Sequence, residues 1–247
     1  MDSTLSIALS HQSAVRRRMD VVANNIANMN TTAFQKESVM FKEFQVELQN
    51  TNSPIGNTIS FIQDVGSKRS FKAGNFIPTN NSLDIAISGQ GYLTMESIEG
   101  EPRYTRNGHL SINNDGMLVG AGGALVLSDG GATIPIGAQD TDISIGKDGT
   151  INSSAGPLGK LGLVEFTDEQ RNGLKKVGQS LYSSTEVPEA ATDSLITQGM
   201  LESSNVNAIE EMTSMLETLR SYQSVQSMMK DYLDLKNSSL RTIAAVG

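Results

Sequence analysis

The chain has no cysteine, so disulfides and thiolate metal sites are excluded, although that absence alone fixes no compartment. Histidine is nearly as scarce, with only His11 and His109. No apolar run approaches the roughly 20 residues needed to span a bilayer. The N-terminus, MDSTLSIALSHQSAVRRRMD, lacks the basic start, continuous apolar stretch and small-residue cleavage site of a Sec-type signal peptide. The expectation is a soluble chain without membrane insertion. A net charge of −8 opposes non-specific binding to nucleic acid or anionic membrane. With only 19% charged residues and 23 glycines, the composition suits strands and turns better than an all-helical bundle. At 247 residues the chain can bury a substantial core, in one large domain or two ordinary ones.

What is there is written in two patterns. Near the N-terminus Leu5, Ala8, Gln12, Val15, Met19, Val22, Ile26 and Met29 alternate steps of three and four, a heptad seam with one polar interruption. Near the C-terminus Met212, Met215, Leu219, Tyr222, Gln226, Met229, Leu233, Lys236, Leu240 and Ile243 repeat those steps. Such a stripe suits either a globular-core helix or a coiled coil. Here the stripes run for about four and five heptads, longer than the ~11–12-residue average helix, which favours the coiled coil. Leu216, Val225 and Tyr232 lie beside the second seam, so the apolar face is wider than a two-stranded contact requires and calls for further partners.

Between the ends the pattern changes. TISFIQDV and LDIAI alternate roughly with period two, while GYLTM, GALVLS and LGLVEF are short apolar runs beside glycine. Asn114-Asp115-Gly116 and Lys147-Asp148-Gly149 supply hairpin turns, with Gly where a positive φ is needed. These features predict an α+β chain: long terminal helices pairing as a coiled coil, with a central antiparallel β domain. The segments are 1–34, an N-terminal helix; 35–75, an extended connector that begins with a short helical pattern; 76–190, the β domain; and 191–247, a C-terminal segment and helix. Pro and small polar residues in TEVPEAATDS mark the last boundary.

No catalytic constellation emerges. His109 could join Asp115, but no Ser lies in a nucleophile-elbow sequence. The glycine clusters SGQGYL and GAGGAL miss the spacings of dinucleotide and phosphate loops. DTDISIGKDGTI places Asp140, Asp142 and Ser144 at the first three ligand positions of a calcium loop, yet Ile145 stands where the glycine belongs and Ile151 where the bidentate Glu belongs. Arg16-Arg17-Arg18 reads as a solvated helix face or a source of inter-helix ion pairs. No enzyme activity, metal or cofactor is expected.

Four stretches together resemble one family: VVANNIANMNTTAFQK, NNSLDIAISGQGYLTM, YTRNGHLSINNDGMLVG and QGMLESSNVNAIEEMTSMLETLRSYQ. They resemble, in order and over most of the chain, the rod and hook family of bacterial flagellar axial proteins. TTAF stands where the family has a TTGF-like ending. The resemblance implies terminal helices that pair as an inner layer with the β domain outside. It further implies copies that stack helically, with other rod proteins, into a tube crossing the periplasm that transmits torque around an export channel. Family members leave the cell body through the flagellar type III export apparatus, in accord with the missing Sec signal. The length and the start MDSTLSIALS suggest the proximal-rod type; the alternatives are the distal-rod type and, from another class, a secreted β-rich binding domain with helical arms.

The residues expected to carry assembly are Leu5, Val15, Met19, Val22 and Ile26 on the first helix and Met212, Met215, Leu219, Tyr222, Met229 and Leu233 on the last, together with Asn24, Asn25 and Asn28. The asparagines pose a question, because each costs up to ~0.7 kcal/mol in helix propensity relative to Ala. With Ile26 and Met29 in the seam, the three fall off it. Two readings remain: they contact neighbouring subunits, or they end the helix and turn the chain.

Overall fold

The computed structural model describes residues 3–47, 58–137 and 139–246. Along the chain come α1 (Ser3–Ala27), β1 (Glu37–Glu47), β2 (Thr58–Arg69), β3 (Phe76–Pro78), β4 (Ile85–Ser88), β5 (Tyr92–Glu96), β6 (Pro102–Thr105), β7 (Ser111–Ile112), β8 (Leu118–Val119) and β9 (Leu125–Val126). These are followed by β10 (Ser144–Ile145), β11 (Thr150–Ser153), β12 (Gly156–Lys160), β13 (Leu163–Glu165), α2 (Asp168–Gly173), β14 (Lys175–Gly178), β15 (Leu181–Ser183), β16 (Glu189–Ala190), β17 (Leu195–Gln198), β18 (Met200–Glu202) and α3 (Ala208–Val246). The class is α+β: an N-terminal helix, a central antiparallel β region and a C-terminal helix. Contacts gather the chain into two compact units, one of residues 1–27, 36–70 and 207–247, the other of residues 28–35 and 71–206.

In the first unit, α1 packs against both the β1–β2 hairpin and α3. Asn25 meets Glu211 and Arg18 meets Ser214, so α3 advances as α1 recedes and the two helices run antiparallel. Ala8, Ala14, Val15, Val21 and Val22 are the buried apolar residues of α1, two interleaved sets seven residues apart (8, 15, 22 and 14, 21) that share one helix face. α3 begins with Asn207, whose Oδ1 accepts from Ile209 N at 3.1 Å while its amide donates to Glu210 at 3.2 Å, so the first turn is capped from both directions.

The hairpin corrects one expectation. Residues 35–75 were to be an extended connector with a short helical start; instead β1 and β2 pair antiparallel from Glu37↔Arg69 to Glu47↔Thr58. Residues 48–57 of that stretch lie outside the described residues. A register shift between Met40 and Phe41 breaks the two-residue period, which is why the strand was not legible as one.

The second unit is the β body. Its main sheet runs β14-β15-β6-β5-β9-β8-β7, with β13 also pairing β5 and β16. The five segments expected as strands all contribute strand residues, four of them in this unit. Gly116 (φ 73°) and Gly149 (φ 88°) occupy the two expected turns. Ile85, Ile87, Leu93, Met95, Leu110, Leu118, Val126, Ile151, Leu161 and Ile196 form its core, each side chain stabilising by about 1.5–3 kcal/mol when fully buried. Beside it Tyr92, Tyr104 and Phe166 stack edge to face at centroid distances of 5.5 and 4.9 Å; burial pushes the Tyr104 hydroxyl pKa up. The strands continue past residue 190, since β17 pairs with β4 and β18 with β3.

Candidate functional site

The first unit is built around one polar side chain. Asn25, 1% exposed, lies on the buried face of α1 rather than off it as expected. Its Oδ1 accepts from Glu37 N at 3.0 Å and its Nδ2 donates to Glu37 O at 2.8 Å, so the carboxamide pairs with that peptide as a neighbouring strand would. The same amide donates to Glu211 Oε2 at 3.0 Å. Glu211, also buried, receives Lys36 Nζ on its other oxygen at 2.5 Å. A carboxylate in the first turn of α3 is further stabilised by the helix dipole. The node therefore joins α1, the start of the hairpin and α3 with its principal polar atoms satisfied.

The other asparagines behave differently. Asn24 is exposed. Asn28 follows the last residue of α1, and its carbonyl accepts from Thr31 N at 3.1 Å while its side chain accepts from the Thr31 hydroxyl at 3.2 Å. Asn28 thus closes a turn, in accord with the helix-ending reading.

Among the other residues singled out, Val15 and Val22 are buried, and Leu5, Met19 and Ile26 are partly buried. On α3 half of the expected seam lies on the buried face and half is displaced by one residue: Met215, Tyr222 and Met229 are partly buried, while Glu211, Thr218 and Val225 are buried in place of Met212, Leu219 and Gln226. Thr218 is accommodated there because its hydroxyl donates to Ser214 O at 2.6 Å. Met212, Leu219 and Leu233 are exposed at 49, 39 and 44%. Ile209, Met212, Leu216 and Leu219, at steps of three, four and three, make a second apolar stripe on α3 that the first unit leaves in solvent. α3 has 39 residues against 25 for α1, and Leu235 in its later half is exposed as well. The side chains of Leu240 and Ile243 lie outside the described residues. Of the arginine run, Arg17 pairs with Asp64 on the hairpin at 3.3 Å and Arg18 reaches Ser214 on α3 at 3.4 Å.

A second node, which the sequence reading missed, organises the β body. The guanidinium of Arg106 donates to Glu202 at 3.0 and 2.8 Å, to the carbonyls of Gly89 and Gly91 at 3.0 and 2.9 Å, and to that of Ile87 at 3.0 Å. Glu202 in turn accepts from Gly74 N, and its carbonyl from Ala33 N at 2.8 Å. All four quoted stretches meet here: TTAF through Ala33, SGQGY through Gly89 and Gly91, YTRNG through Arg106 and QGMLES through Glu202. A Cβ on Gly108 would fall on the Ile85 carbonyl, which explains glycine after Asn107. His109 pairs with Asp84 at 2.7 Å, not with Asp115. Asp140, from the rejected calcium pattern, accepts from Gly137 N and from the Ser153 hydroxyl.

Comparison with known proteins agrees with these motifs. Residues 5–35 match the family described as flagella basal body rod protein, residues 86–153 the D1 domain of the flagellar hook proteins FlgE/F/G, and residues 197–241 the C-terminal domain of the basal body rod FlgEFG proteins. The chain is 38% identical to the flagellar basal-body rod protein FlgF of Caulobacter vibrioides over the whole of both chains. It is 30% identical to FlgF of Rhizobium meliloti over 98% of each. With FlgG of Agrobacterium fabrum it shares 32% identity over 89% of this chain and 91% of that protein. The chain belongs to the bacterial flagellar basal-body rod protein family, of the FlgF type.

Proposed function

We propose that this chain is a structural subunit of the flagellar rod, in its proximal part, and that it polymerises through its terminal helices. The observation that carries the reading is the second apolar stripe of α3. One stripe is covered by α1 within the chain; Ile209, Met212, Leu216 and Leu219 are not covered within their unit. Packing among copies would bury them, at about 25 cal/mol per Å² of apolar surface. In this reading α1 and α3, the helical parts of segments 1–34 and 191–247, pair as a coiled coil, and their outward stripes meet those of neighbouring copies and of other rod proteins to form a tube around the export channel.

The proximal assignment is supported by length: the FlgF relatives of Caulobacter vibrioides and Rhizobium meliloti align over 98–100% of this chain, whereas the FlgG relatives of Buchnera aphidicola and Agrobacterium fabrum align over 89–90%. A distal-rod role is the second reading. The rod's passage through the periplasm and delivery of the chain by the type III apparatus without a Sec signal belong to the same proposal. No helix among the described residues is long and apolar enough to cross a membrane.

The test is the axial position of an epitope-tagged chain in isolated basal bodies. Labelling next to the membrane-ring end supports the proximal role. Labelling along a long distal segment transfers the chain to the distal role, and absence from basal bodies contradicts both.

A further inference from the structure

The apolar part of the α1–α3 seam repeats every seven residues: Ala8, Val15 and Val22 on α1, and Val225 seven residues beyond Thr218 on α3. Such a seam is degenerate, because sliding one helix by a heptad, about 10 Å at 1.5 Å per residue, returns small or apolar side chains to equivalent places. The Asn25–Glu211 contact breaks the degeneracy. Both residues are buried, and each is held by a group outside the two helices: Asn25 by the Glu37 peptide at 2.8 and 3.0 Å, Glu211 by Lys36. A slide that brought Thr218 into the place of Glu211 would set Asn25 against a hydroxyl already donating to Ser214 O. It would also carry Glu211 away from Lys36.

We propose that the Asn25–Glu211 pair is the specificity determinant of this seam, fixing the register in which α3 lies against α1. A polar pair in an apolar seam does this because a shifted alignment takes from Asn25 its carboxylate acceptor and from Glu211 its amide and ammonium donors. The proposal concerns the packing of one chain on itself and stands independently of the rod assignment.

Cysteine pairs read the register cleanly, because the native chain has none. In the full-length chain, Arg18→Cys with Ser214→Cys reports the observed register, in which these side chains meet at 3.4 Å. Arg18→Cys with Ser221→Cys reports a slide of one heptad. With a short bifunctional thiol reagent, the native background is expected to favour the first cross-link by at least about tenfold, the scale set by stranding a buried hydrogen-bonding group. Glu211→Leu, alone or with Asn25→Leu, is expected to bring the two cross-links to within about threefold of each other. Glu211→Gln keeps an oxygen for the Asn25 amide and is expected to retain the native preference. Should the double variant lose its helical circular dichroism, Glu211→Leu alone decides, since it leaves the Asn25–Glu37 bonds in place. An undiminished preference for the first cross-link in Glu211→Leu, or equal cross-linking in the native background, overturns the proposal.

Discussion

Asn25 and Glu211 are 186 residues apart in sequence and 3.0 Å apart in space, amide nitrogen to carboxylate oxygen. That bond closes the first unit on itself: the end of the first helix, the start of the hairpin and the first turn of the last helix share one buried polar cluster. An asparagine at the end of α1 is a poor helix former, and its cost is offset by three hydrogen bonds that alanine cannot make.

Asn25→Ala is therefore expected to destabilise the first unit despite its gain in helix propensity. Each buried group left unsatisfied costs about 1–3 kcal/mol, against at most ~0.7 kcal/mol recovered from propensity. Hydrogen exchange should show faster opening of residues 37–47, with the β body unaffected. Asn24→Ala, at an exposed position, should cost less. Equal protection of residues 37–47 in wild type and Asn25→Ala would remove the node from the account of stability.

In the β body, Arg106→Lys is expected to be nearly as damaging as removing the residue. An ammonium cannot serve the three carbonyls and the carboxylate that the planar guanidinium spans. Breaking a buried pair of this kind costs about 3–5 kcal/mol. Urea unfolding followed by the tyrosine signal of Tyr92 and Tyr104, with Tyr182 edge to face against Tyr92 at 6.2 Å, measures it. A midpoint unchanged from wild type would show that the pair is dispensable.

Ala33 sits at φ 54° in the TTAF turn, with its side chain buried. Alanine bears a left-handed strain of about 1–2 kcal/mol there, which glycine would relieve while losing a buried methyl worth ~0.8 kcal/mol and some backbone entropy. Ala33→Gly is accordingly expected to leave stability within about 1 kcal/mol of wild type. Ala33→Val, β-branched at positive φ in a closed site, should cost about 2 kcal/mol or more. Thermal unfolding of the two variants gives the comparison, and a Val variant as stable as the Gly variant would contradict it.

Asp148, in the Lys147-Asp148-Gly149 turn, has its carboxyl pKa lowered, first by the Thr150 hydroxyl and then by the Thr150 N–H. A lowered native value means that the folded turn holds the proton more weakly than the unfolded chain. Its contribution is therefore complete above the unfolded value and disappears as pH falls through the lowered one. Carbon-detected NMR titration should place the Asp148 midpoint below the ordinary carboxylate range, and Thr150→Val should move it back up. An unmoved midpoint in Thr150→Val would exclude the hydroxyl as the cause.

The strands and turns of the β body were legible because LDIAI, GYLTM and LGLVEF bury their apolar runs and the two Asp-Gly turns need positive φ. β1 was not legible, since the bulge at Met40 and Phe41 places apolar residues out of phase and mimics a helical spacing. In the seam of α3, Met215, Tyr222 and Met229 lie on the partly buried face as expected, while the positions between them fall one residue earlier, for a different reason. Glu211 and Thr218 are polar, and hydropathy passes over them in favour of Met212 and Leu219; they are buried only because Asn25, Lys36 and Ser214 satisfy them. Arg106 and Glu202 escaped notice likewise, as a charge buried against a partner 96 residues away carries no local signal.

The most direct test of assembly through the terminal helices is incorporation of a Met212→Glu, Leu216→Glu double variant into basal bodies. Both side chains are exposed in the chain, at 49 and 56%, so the substitutions should leave α1 packed on α3 and the β body folded. Charges on the outward stripe should nevertheless prevent the burial that joins one copy to the next. The expected result is a normally folded, exported chain absent from purified basal bodies, with loss of motility. Incorporation at the wild-type level, with full motility, would contradict assembly through this stripe.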